Sequence, residues 1–516
     1  MNPASLISAQ DLAQHATRES CWIIVHNKVY DMTDFLDEHP GGSRIILRYA
    51  GKDATAAYEP VHPPDVISSN LPPEKHIGIA EPSANPVEKS QTEEEKKREL
   101  VLASRPPLDE ILNLHDFEAV ARAVLSPKAW AYYSSGSDDE IANRSNREAY
   151  QRVWFLPRIL RDVTAVNRSA VILGQKSSLP IYISATALGK LGHPDGELNL
   201  TRAAAKHGLI QMIPTLASCS FDEIVDAAQP NQPLFLQLYV NRDRELTKKY
   251  VQHAEKRGVS GLFITVDAPQ LGRREKDMRM KFVDDGAGAK VQEGQSGVQK
   301  NQGISRAISS FIDPSLSWDD IPWFRSITKM PIVLKGVASP QDAIMALEAG
   351  VQGIVLSNHG GRQLDSARSG IENLVDVVAA LKTRGPWPNP NFSVFIDGGV
   401  RRASDVLKAL ALGASAVGIG RGFLYAFSAY GQDGVEKAIE ILRVNATYND
   451  PLCFPDVKYQ DEFEMNMRLL GITSLEELKP ELVDASRLSA GVTPRDNLFS
   501  ATYEPLRLVQ FRESKL

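Results

Sequence analysis

Most of the chain alternates between short apolar runs and longer segments in which apolar residues recur every three or four positions. Eight of the runs are rich in β-branched residues: Pro180–Ala185, Ile210–Pro214, Leu234–Tyr239, Gly261–Asp267, Pro331–Lys335, Gly353–His359, Val394–Asp397 and Ala416–Gly420. Parallel strands that are buried on both faces have this continuous apolar character. Eight strand–helix units in succession predict a (β/α)8 TIM barrel, with an open doubly wound sheet as the alternative.

Polar side chains stand at the ends of these predicted strands, where a barrel core would otherwise hold valine or leucine. They are Thr186, Thr215, Gln237, Tyr239, Thr265, Asp267, Lys335, His359, Arg362, Asp397, Arg401 and Arg421. In TIM barrels, the carboxyl ends of the strands form the face that carries the chemistry. The pattern therefore predicts one active site at this rim.

A change of composition separates a small N-terminal region from the barrel. Residues 81–105 combine prolines with the charged tract Glu93–Arg98 and contain few large apolar residues, which is typical of an exposed linker that forms at most a short solvated helix. We therefore expect a small domain over residues 1–80, the linker over 81–105, the barrel over 106–490 and a C-terminal tail over 491–516.

Bulk composition excludes several classes of protein. With 43% hydrophobic and 24% charged residues, the chain resembles soluble globular proteins. Its net charge of -6 argues against nucleic-acid binding and is compatible with a basic protein partner. Three cysteines without a C-x-x-C pair indicate neither a disulfide framework nor a zinc site. We see no apolar stretch long enough to cross a bilayer and no targeting presequence.

Two histidines in the small domain are candidate haem ligands. His39 precedes Pro-Gly-Gly, and His62 lies in the stretch Glu-Pro-Val-His-Pro-Pro. Two neutral imidazoles on opposite faces of a haem would give six-coordinate iron suited to electron transfer. The segment from Ser8 to Gly78 resembles the cytochrome b5 family, which implies a small α+β domain with His39 and His62 as axial ligands of non-covalent haem b. A degenerate domain without haem is the alternative.

Glycine-rich stretches follow the last two predicted strands. Asp397–Arg401 and Gly418–Arg421 lie where barrels commonly bind a phosphate group through backbone N–H groups and arginine. No G-x-G-x-x-G fingerprint opens a strand–helix turn, which argues against a nicotinamide cofactor. These observations predict a different phosphate-bearing cofactor.

The densest polar cluster is Ser-Asn-His-Gly-Gly-Arg-Gln-Leu-Asp over residues 357–365. Arg362 offers a planar fork that fits a carboxylate, and His359 is a natural base at neutral pH. We expect Asp267 to orient the imidazole and Lys335 to stabilise negative charge on the reduced form of the cofactor.

This string resembles the FMN-dependent L-2-hydroxy acid dehydrogenases, a family that includes glycolate oxidase. The resemblance implies active-site roles for Tyr132 on the substrate carboxylate, Tyr239 on its hydroxyl and Arg274 as a second arginine. It also implies that Ala187 and Leu216 border the substrate side chain with room for a methyl group. The implied flavin contacts are Ala185, Thr186, Ala187, Thr215, Gln237, Thr265, Lys335, Asp397, Gly399, Arg401, Gly420 and Arg421.

A cytochrome b5-like domain fused to such a barrel narrows the resemblance to enzymes of the flavocytochrome b2 type. This implies oxidation of L-lactate to pyruvate, by carbanion or hydride transfer, with single electrons passing through haem to cytochrome c. It also implies a homotetramer in the mitochondrial intermembrane space or the cytosol. The alternatives are an oxidase, an enzyme for mandelate or glycolate, and a haem electron carrier with an inactive barrel.

Two segments depart from the barrel pattern. Asp284–Gly303 is rich in Gly, Gln and Lys and is expected to form a mobile flap over the site. Val444–Gln460 has no counterpart in the family pattern and interrupts an expected helix with Pro451 and Pro455. Its borders fit a translated, unspliced intron, and a surface loop is the alternative; a broken helix here would affect flavin retention and assembly.

Overall fold

The N-terminal domain is built on a mixed five-stranded sheet. The computed structural model describes residues 6–39, 43–62, 66–67, 71–81, 93–284, 311–443 and 462–489. The strands pair in the order β1-β5-β3-β2-β4. Their bounds, with those of three short helices, are β1 Leu6–Ile7, α1 Ala9–Gln14, β2 Trp22–Val25, β3 Lys28–Asp31, α2 Ser43–Leu47, β4 Lys52–Asp53, α3 Thr55–Tyr58 and β5 His76–Ala80.

The larger domain is a closed barrel of eight parallel strands. They are β9 Ile181–Ile183, β10 Ile210–Ile213, β11 Leu234–Leu238, β12 Gly261–Thr265, β13 Ile332–Val337, β14 Gly353–Leu356, β15 Ser393–Asp397 and β16 Ala416–Ile419. The last strand pairs with the first, Val417 opposite Ile181, so the sheet has no open edge. The predicted (β/α)8 barrel is confirmed, and the open sheet is excluded.

Aromatic side chains fill the inside of the barrel. Tyr182, Phe235, Phe263 and Phe395 are fully buried, and each ring lies 5.0–6.5 Å from a neighbouring ring of this group. A glycine makes room for them, because a Cβ on Gly418 would lie 2.8 Å from the Tyr182 ring and 2.4 Å from Ser184 Oγ. This packed layer fills the barrel interior, so we expect a ligand of the barrel to bind at its rim.

Helices cover the outside of the barrel and its entrance. In chain order they are α4 Glu93–Ala103, α5 Leu114–Val124, α6 Pro127–Ser134, α7 Ile141–Gln151, α8 Leu198–His207, α9 Phe221–Asp226, α10 Arg244–Lys256, α11 Glu275–Asp284, α12 Ile321–Ile327, α13 Pro340–Glu348, α14 Gly370–Lys382, α15 Ala403–Ala411, α16 Arg421–Leu442 and α17 Glu462–Leu470. Two small antiparallel pairs accompany them, formed by β6 Trp154–Phe155 with β17 Val483–Asp484 and by β7 Ala170–Ile172 with β8 Gln175–Ser177. Among the described residues, no helix combines the length and the apolarity needed to cross a bilayer.

The segment expected to be a solvated linker is in part attached to the barrel domain. Helix α4 occupies the charged tract, and Arg98 Nε donates a hydrogen bond of 2.8 Å to the Val124 carbonyl of α5. Val101 and Leu102 also pack against the barrel core. Most of the predicted flap, all of Val444–Gln460 and the tail over 491–516 lie outside the described residues.

Candidate active site and haem-binding pair

One cavity opens at the carboxyl ends of the barrel strands, where the sequence places the active site. It encloses about 160 Å³. The predicted residues that line it are Tyr132, Ala185, Thr186, Ala187, Leu216, Gln237, Tyr239, Arg274, Lys335, His359, Arg362, Asp397, Gly399, Arg401, Gly420 and Arg421. Thr215 and Thr265 are hydrogen-bonded to the lining residue Gln237, and Asp267 contacts the lining residue His359.

His359 has its two ring nitrogens in different environments. Nδ1 lies 3.1 and 3.2 Å from the two carboxylate oxygens of Asp267, while Nε2 lies 3.1 Å from the Tyr239 hydroxyl. A carboxylate only accepts hydrogen bonds, so Nδ1 carries the proton and Nε2 is the basic nitrogen at the cavity. The backbone of His359 has φ +59°, a sparsely populated region for a non-glycine residue that is often found at functional sites.

The surroundings of His359 keep its imidazole neutral at physiological pH. Burial lowers its pKa below the usual 6.5, and the charge of Asp267 offsets part of this effect. Burial alone would raise the pKa of Asp267, but the charge and hydrogen bond of His359 outweigh it and lower the pKa. A neutral imidazole backed by an ionised carboxylate can accept a proton and stabilise the resulting cation.

This arrangement predicts the pH dependence of turnover. The basic form of His359 is expected to be active, so kcat/KM for the hydroxy acid should fall on acidification only through a pKa below the usual 6.5, by about tenfold per pH unit beneath that pKa. Asp267→Asn removes the charge that raises the pKa of His359, so the acid limb should move to lower pH. An activity loss that already begins above pH 7 in the unmodified protein would contradict this assignment.

Two arginines give the cavity a positive charge suited to a carboxylate. Arg362 Nη1 donates to the carbonyls of Tyr132 at 2.7 Å and Ser135 at 3.0 Å, at the end of α6. Its guanidinium lies 5.1 Å from the Tyr132 ring. Arg274 is buried beside it, and burial together with Arg362 lowers the pKa of Arg274 to about 10, so it stays charged near neutrality. The carbonyls hold one side of Arg362, which fixes its orientation.

The floor of the cavity fits the expected flavin. Lys335 Nζ lies 3.1 Å from Asp397 Oδ2 and donates to Ser357 Oγ at 3.2 Å. Within the described part of the chain, Asp397 Oδ1 and Ser184 Oγ are buried without hydrogen-bond partners. Buried polar atoms are rarely left unsatisfied, and hydroxyl groups such as those of a ribityl chain would satisfy both.

Two threonines expected to contact the flavin are hydrogen-bonded to the lining residue Gln237. Its Nε2 donates to Thr265 Oγ1 at 2.9 Å, and its Oε1 accepts from the Thr215 amide at 3.1 Å. The sequence pattern missed Ser184 and Leu271, which also line the cavity. Ser184 lies in the first predicted strand run and could have been found there, whereas Leu271 gives no sequence signal.

In the N-terminal domain, His39 and His62 face each other. Their ring centroids are 6.0 Å apart. This separation leaves room for one metal atom with bonds of about 2 Å on both sides, the length typical of imidazole ligands. His62 Nδ1 lies 3.3 Å from the Tyr58 carbonyl, which leaves Nε2 for a metal. Burial and His39 lower the pKa of His62 to about 4, so it is the neutral form that an iron ligand requires.

The two domains meet beside both sites. Ser218 Oγ donates a 3.0 Å hydrogen bond to the carbonyl of Pro60, two residues before His62. Val61 and Val66 of the small domain share an apolar cavity of about 400 Å³ with barrel residues that include Leu216 and Tyr239. The candidate haem ligand therefore belongs to a loop that contacts the rim of the flavin site.

Comparison with known proteins agrees with this geometry. Residues 121–449 match the FMN-dependent dehydrogenase family, and residues 8–94 match the cytochrome b5-like haem/steroid binding domain. An L-lactate dehydrogenase (cytochrome) of Wickerhamomyces anomalus is 51% identical over 98% of this chain and 85% of its own length. The enzyme of the same name from Saccharomyces cerevisiae is 48% identical over the same shares. A glycolate oxidase of Spinacia oleracea is 39% identical over 72% of this chain and 94% of its own.

Solved structures give the same relationship. A point variant of flavocytochrome b2 superposes with a TM-score of 0.68 at 48% identity, covering 82% of this chain and all of its own. A mandelate oxidase variant with (S)-mandelic acid gives 0.60 at 35% identity, over 72% of this chain and 98% of its own. The chain therefore belongs to the FMN-dependent dehydrogenases and carries a cytochrome b5-like haem-binding domain ahead of its barrel.

Proposed function

We propose that the protein oxidises L-lactate to pyruvate and transfers the electrons singly through haem b to cytochrome c. The observation that carries this proposal is the basic Nε2 of His359, directed to a cavity that also holds Arg362. Two of its lining residues, Leu216 and Tyr239, also line the apolar cavity that Val61 and Val66 beside His62 help to form. The relatives matched over both domains are the L-lactate dehydrogenases (cytochrome), whereas the oxidases match only 72–74% of the chain.

Different side chains bind the substrate, accept its proton and hold the cofactors. Arg362 and Tyr132 bind the carboxylate, with Arg274 adding a second positive charge, and Tyr239 contacts the substrate hydroxyl. His359 Nε2 takes a proton from the substrate, and Asp267 stabilises the imidazolium that forms. Oxidation to pyruvate removes two protons and two electrons from lactate: His359 accepts one proton, and the two electrons and the second proton pass to the flavin when it is bound. When bound, FMN supplies the two-electron acceptor, next to Lys335, and haem supplies a one-electron carrier held by His39 and His62.

Substrate choice and acceptor choice are tested together. We expect L-lactate to support faster cytochrome c reduction than glycolate or mandelate, because Ala187 and Leu216 both line the cavity and leave space for a small side chain. We also expect little hydrogen peroxide. Steady-state assays with these three acids, with and without cytochrome c, measure both properties. Peroxide formed in proportion to lactate consumed would instead identify an oxidase.

The surface charge of the haem domain favours a basic acceptor. Residues 1–80 contain ten acidic and six basic residues, an excess of four negative charges. Complementary charge accelerates encounter with a basic protein such as cytochrome c. We expect kcat/KM for cytochrome c to fall several-fold as ionic strength rises, while the rate of flavin reduction by lactate stays unchanged. A salt-independent rate would contradict an acceptor bound by charge. Such an acceptor also favours the mitochondrial intermembrane space over the cytosol.

We further propose a homotetramer. The segment that contains β6 exposes large apolar side chains, with Trp154 58%, Ile159 82% and Leu160 100% exposed. Leu469 of α17 is also a large apolar side chain that is 69% exposed. It lies near this segment, because the carbonyl of its neighbour Leu470 accepts a hydrogen bond from the Arg158 amide. A contiguous exposed apolar surface of this kind commonly lies at a subunit contact.

A further inference from the structure

Three arginines, one more than the sequence pattern indicated, line the end of the cavity where the FMN phosphate is expected. Arg401 and Arg421 were predicted there, and Arg147 of α7 joins them. Glycines of the two predicted phosphate loops, Gly399 and Gly420, line the same cavity. A phosphate monoester carries a charge of about -1.5 to -2 at neutral pH, so the supply of cations here bears directly on cofactor binding.

The backbone that carries Arg147 is fixed against one of these glycine loops. Gly399 has φ +82°, and a Cβ there would lie 2.0 Å from the Asn146 carbonyl oxygen and 3.0 Å from the Arg147 nitrogen. The Asn146 and Asn358 side chains exchange two hydrogen bonds, of 2.8 and 3.0 Å. Helix α7 is therefore held at the edge of the phosphate loop, and Arg147 cannot move away without breaking these contacts.

The hydrogen-bond donors of Arg421 are largely committed to protein acceptors. Its Nε donates to the Tyr133 carbonyl at 3.0 Å. Its Nη1 donates to Gly360 and Asn143, and its Nη2 donates to Ser135, at 2.8–3.0 Å. An arginine has five N–H donors, so four of those on Arg421 have partners among the described residues. Little hydrogen-bonding capacity remains for a phosphate group.

Glu118 of α5 joins the other two arginines. Its Oε2 accepts from Nε and Nη2 of Arg401, both at 3.2 Å, and lies 3.5 Å from Arg147 Nη2. Burial would raise the pKa of Glu118, but the two arginines outweigh it and lower the pKa. The three arginines and the ionised glutamate together have a net charge of +2, which matches the charge of a phosphate dianion.

Arg147 keeps donors available at the cavity. Within the described part of the chain, its bonds to His115 at 2.9 Å and to Glu118 both come from Nη2. Nε and Nη1 therefore have no hydrogen-bond partner in the described residues. We propose that Arg147 is a further binding residue for the phosphate of FMN and that Glu118 positions it together with Arg401. The inference depends on the flavin cofactor and not on which hydroxy acid is oxidised.

The test compares FMN with riboflavin, which lacks the phosphate. For Arg147→Ala in the full-length chain, we expect the FMN dissociation constant to rise about tenfold, equivalent to about 1.4 kcal/mol, and the riboflavin constant to stay unchanged. Arg147→Lys should recover part of the loss. Fluorescence of the released flavin measures both constants, and a thermal unfolding midpoint close to that of the unmodified protein verifies folding of the barrel. Arg147→Gln is the second substitution if the alanine variant does not fold.

Arg144→Ala is the matched control. Arg144 lies one turn earlier on α7 and does not line the cavity; its Nη1 donates to the Asp139 carbonyl at 2.8 Å. This variant should bind both flavins normally. In the Arg147→Ala chain, FMN affinity should also depend less steeply on salt concentration. FMN affinity within twofold of the unmodified protein, or an equal loss for FMN and riboflavin, would overturn the proposal.

Discussion

With His359 replaced by glutamine, L-lactate is expected to reduce the flavin about 10²–10⁴-fold more slowly, at unchanged flavin content. Glutamine can keep hydrogen bonds to Tyr239 and Asp267, but it cannot take up a proton at neutral pH. Arg362 and Arg274 remain, so the substrate should still bind. Anaerobic stopped-flow absorbance of the flavin measures the rate directly.

A second histidine–aspartate pair provides the control for this substitution. His253 Nε2 lies 2.9 Å from Asp222 Oδ1 in an exposed position, and neither residue lines the cavity. His253→Gln should leave the rate of flavin reduction unchanged. Flavin reduction by His359→Gln at a rate within tenfold of the unmodified protein would exclude His359 as the base.

Replacement of His62 by alanine should separate the two redox functions. The domain loses one of the two candidate iron ligands, so its haem affinity should fall by more than the roughly 10–100-fold that the loss of an outer-shell partner costs, and its haem content should fall as a result. Cytochrome c reduction should fall with it. Flavin reduction by lactate should persist, because every residue of the barrel cavity is intact. Haem absorbance and anaerobic flavin reduction, measured on the same sample, give both quantities.

His76→Ala is the matched control in the same domain. His76 begins β5, is exposed and contacts Tyr30 edge-on at 5.2 Å. This variant should retain haem and cytochrome c reduction. If His62→Ala retained a normal six-coordinate haem spectrum, His62 would not be an axial ligand.

The sequence predicts the barrel well because buried parallel strands have a simple signature. Their continuous apolar runs indicated all eight strands, and the polar residues at their ends indicated the rim of the site. The pairing of His359 with Asp267 was also predictable, since both residues follow barrel strands by two or three positions at the same rim. The direction of each side chain was not predictable, because it depends on how the strand ends and the loops pack around the cavity. The hydrogen bonds of Thr215 and Thr265 to Gln237 are an example.

The strand pattern could not predict which helix residues reach the active site or join the two domains. Arg147 and Glu118 look like members of solvated helix faces, and only the packing of α7 and α5 brings them to the phosphate loops. The contact of Ser218 with Pro60 joins two domains across a long stretch of chain, and periodicity carries no information about it. The attachment of α4 to the barrel was also missed. The charged composition of α4 indicates a solvated helix and gives no sign that Arg98 is hydrogen-bonded to the Val124 carbonyl.

Rapid anaerobic mixing of the two-domain protein with L-lactate follows both cofactors in one experiment. The flavin absorbance near 450 nm should bleach first, and the haem should then become reduced in the same molecules, without any added acceptor. Two outcomes contradict the account: a flavin that lactate does not bleach, or a haem that stays oxidised beside a reduced flavin.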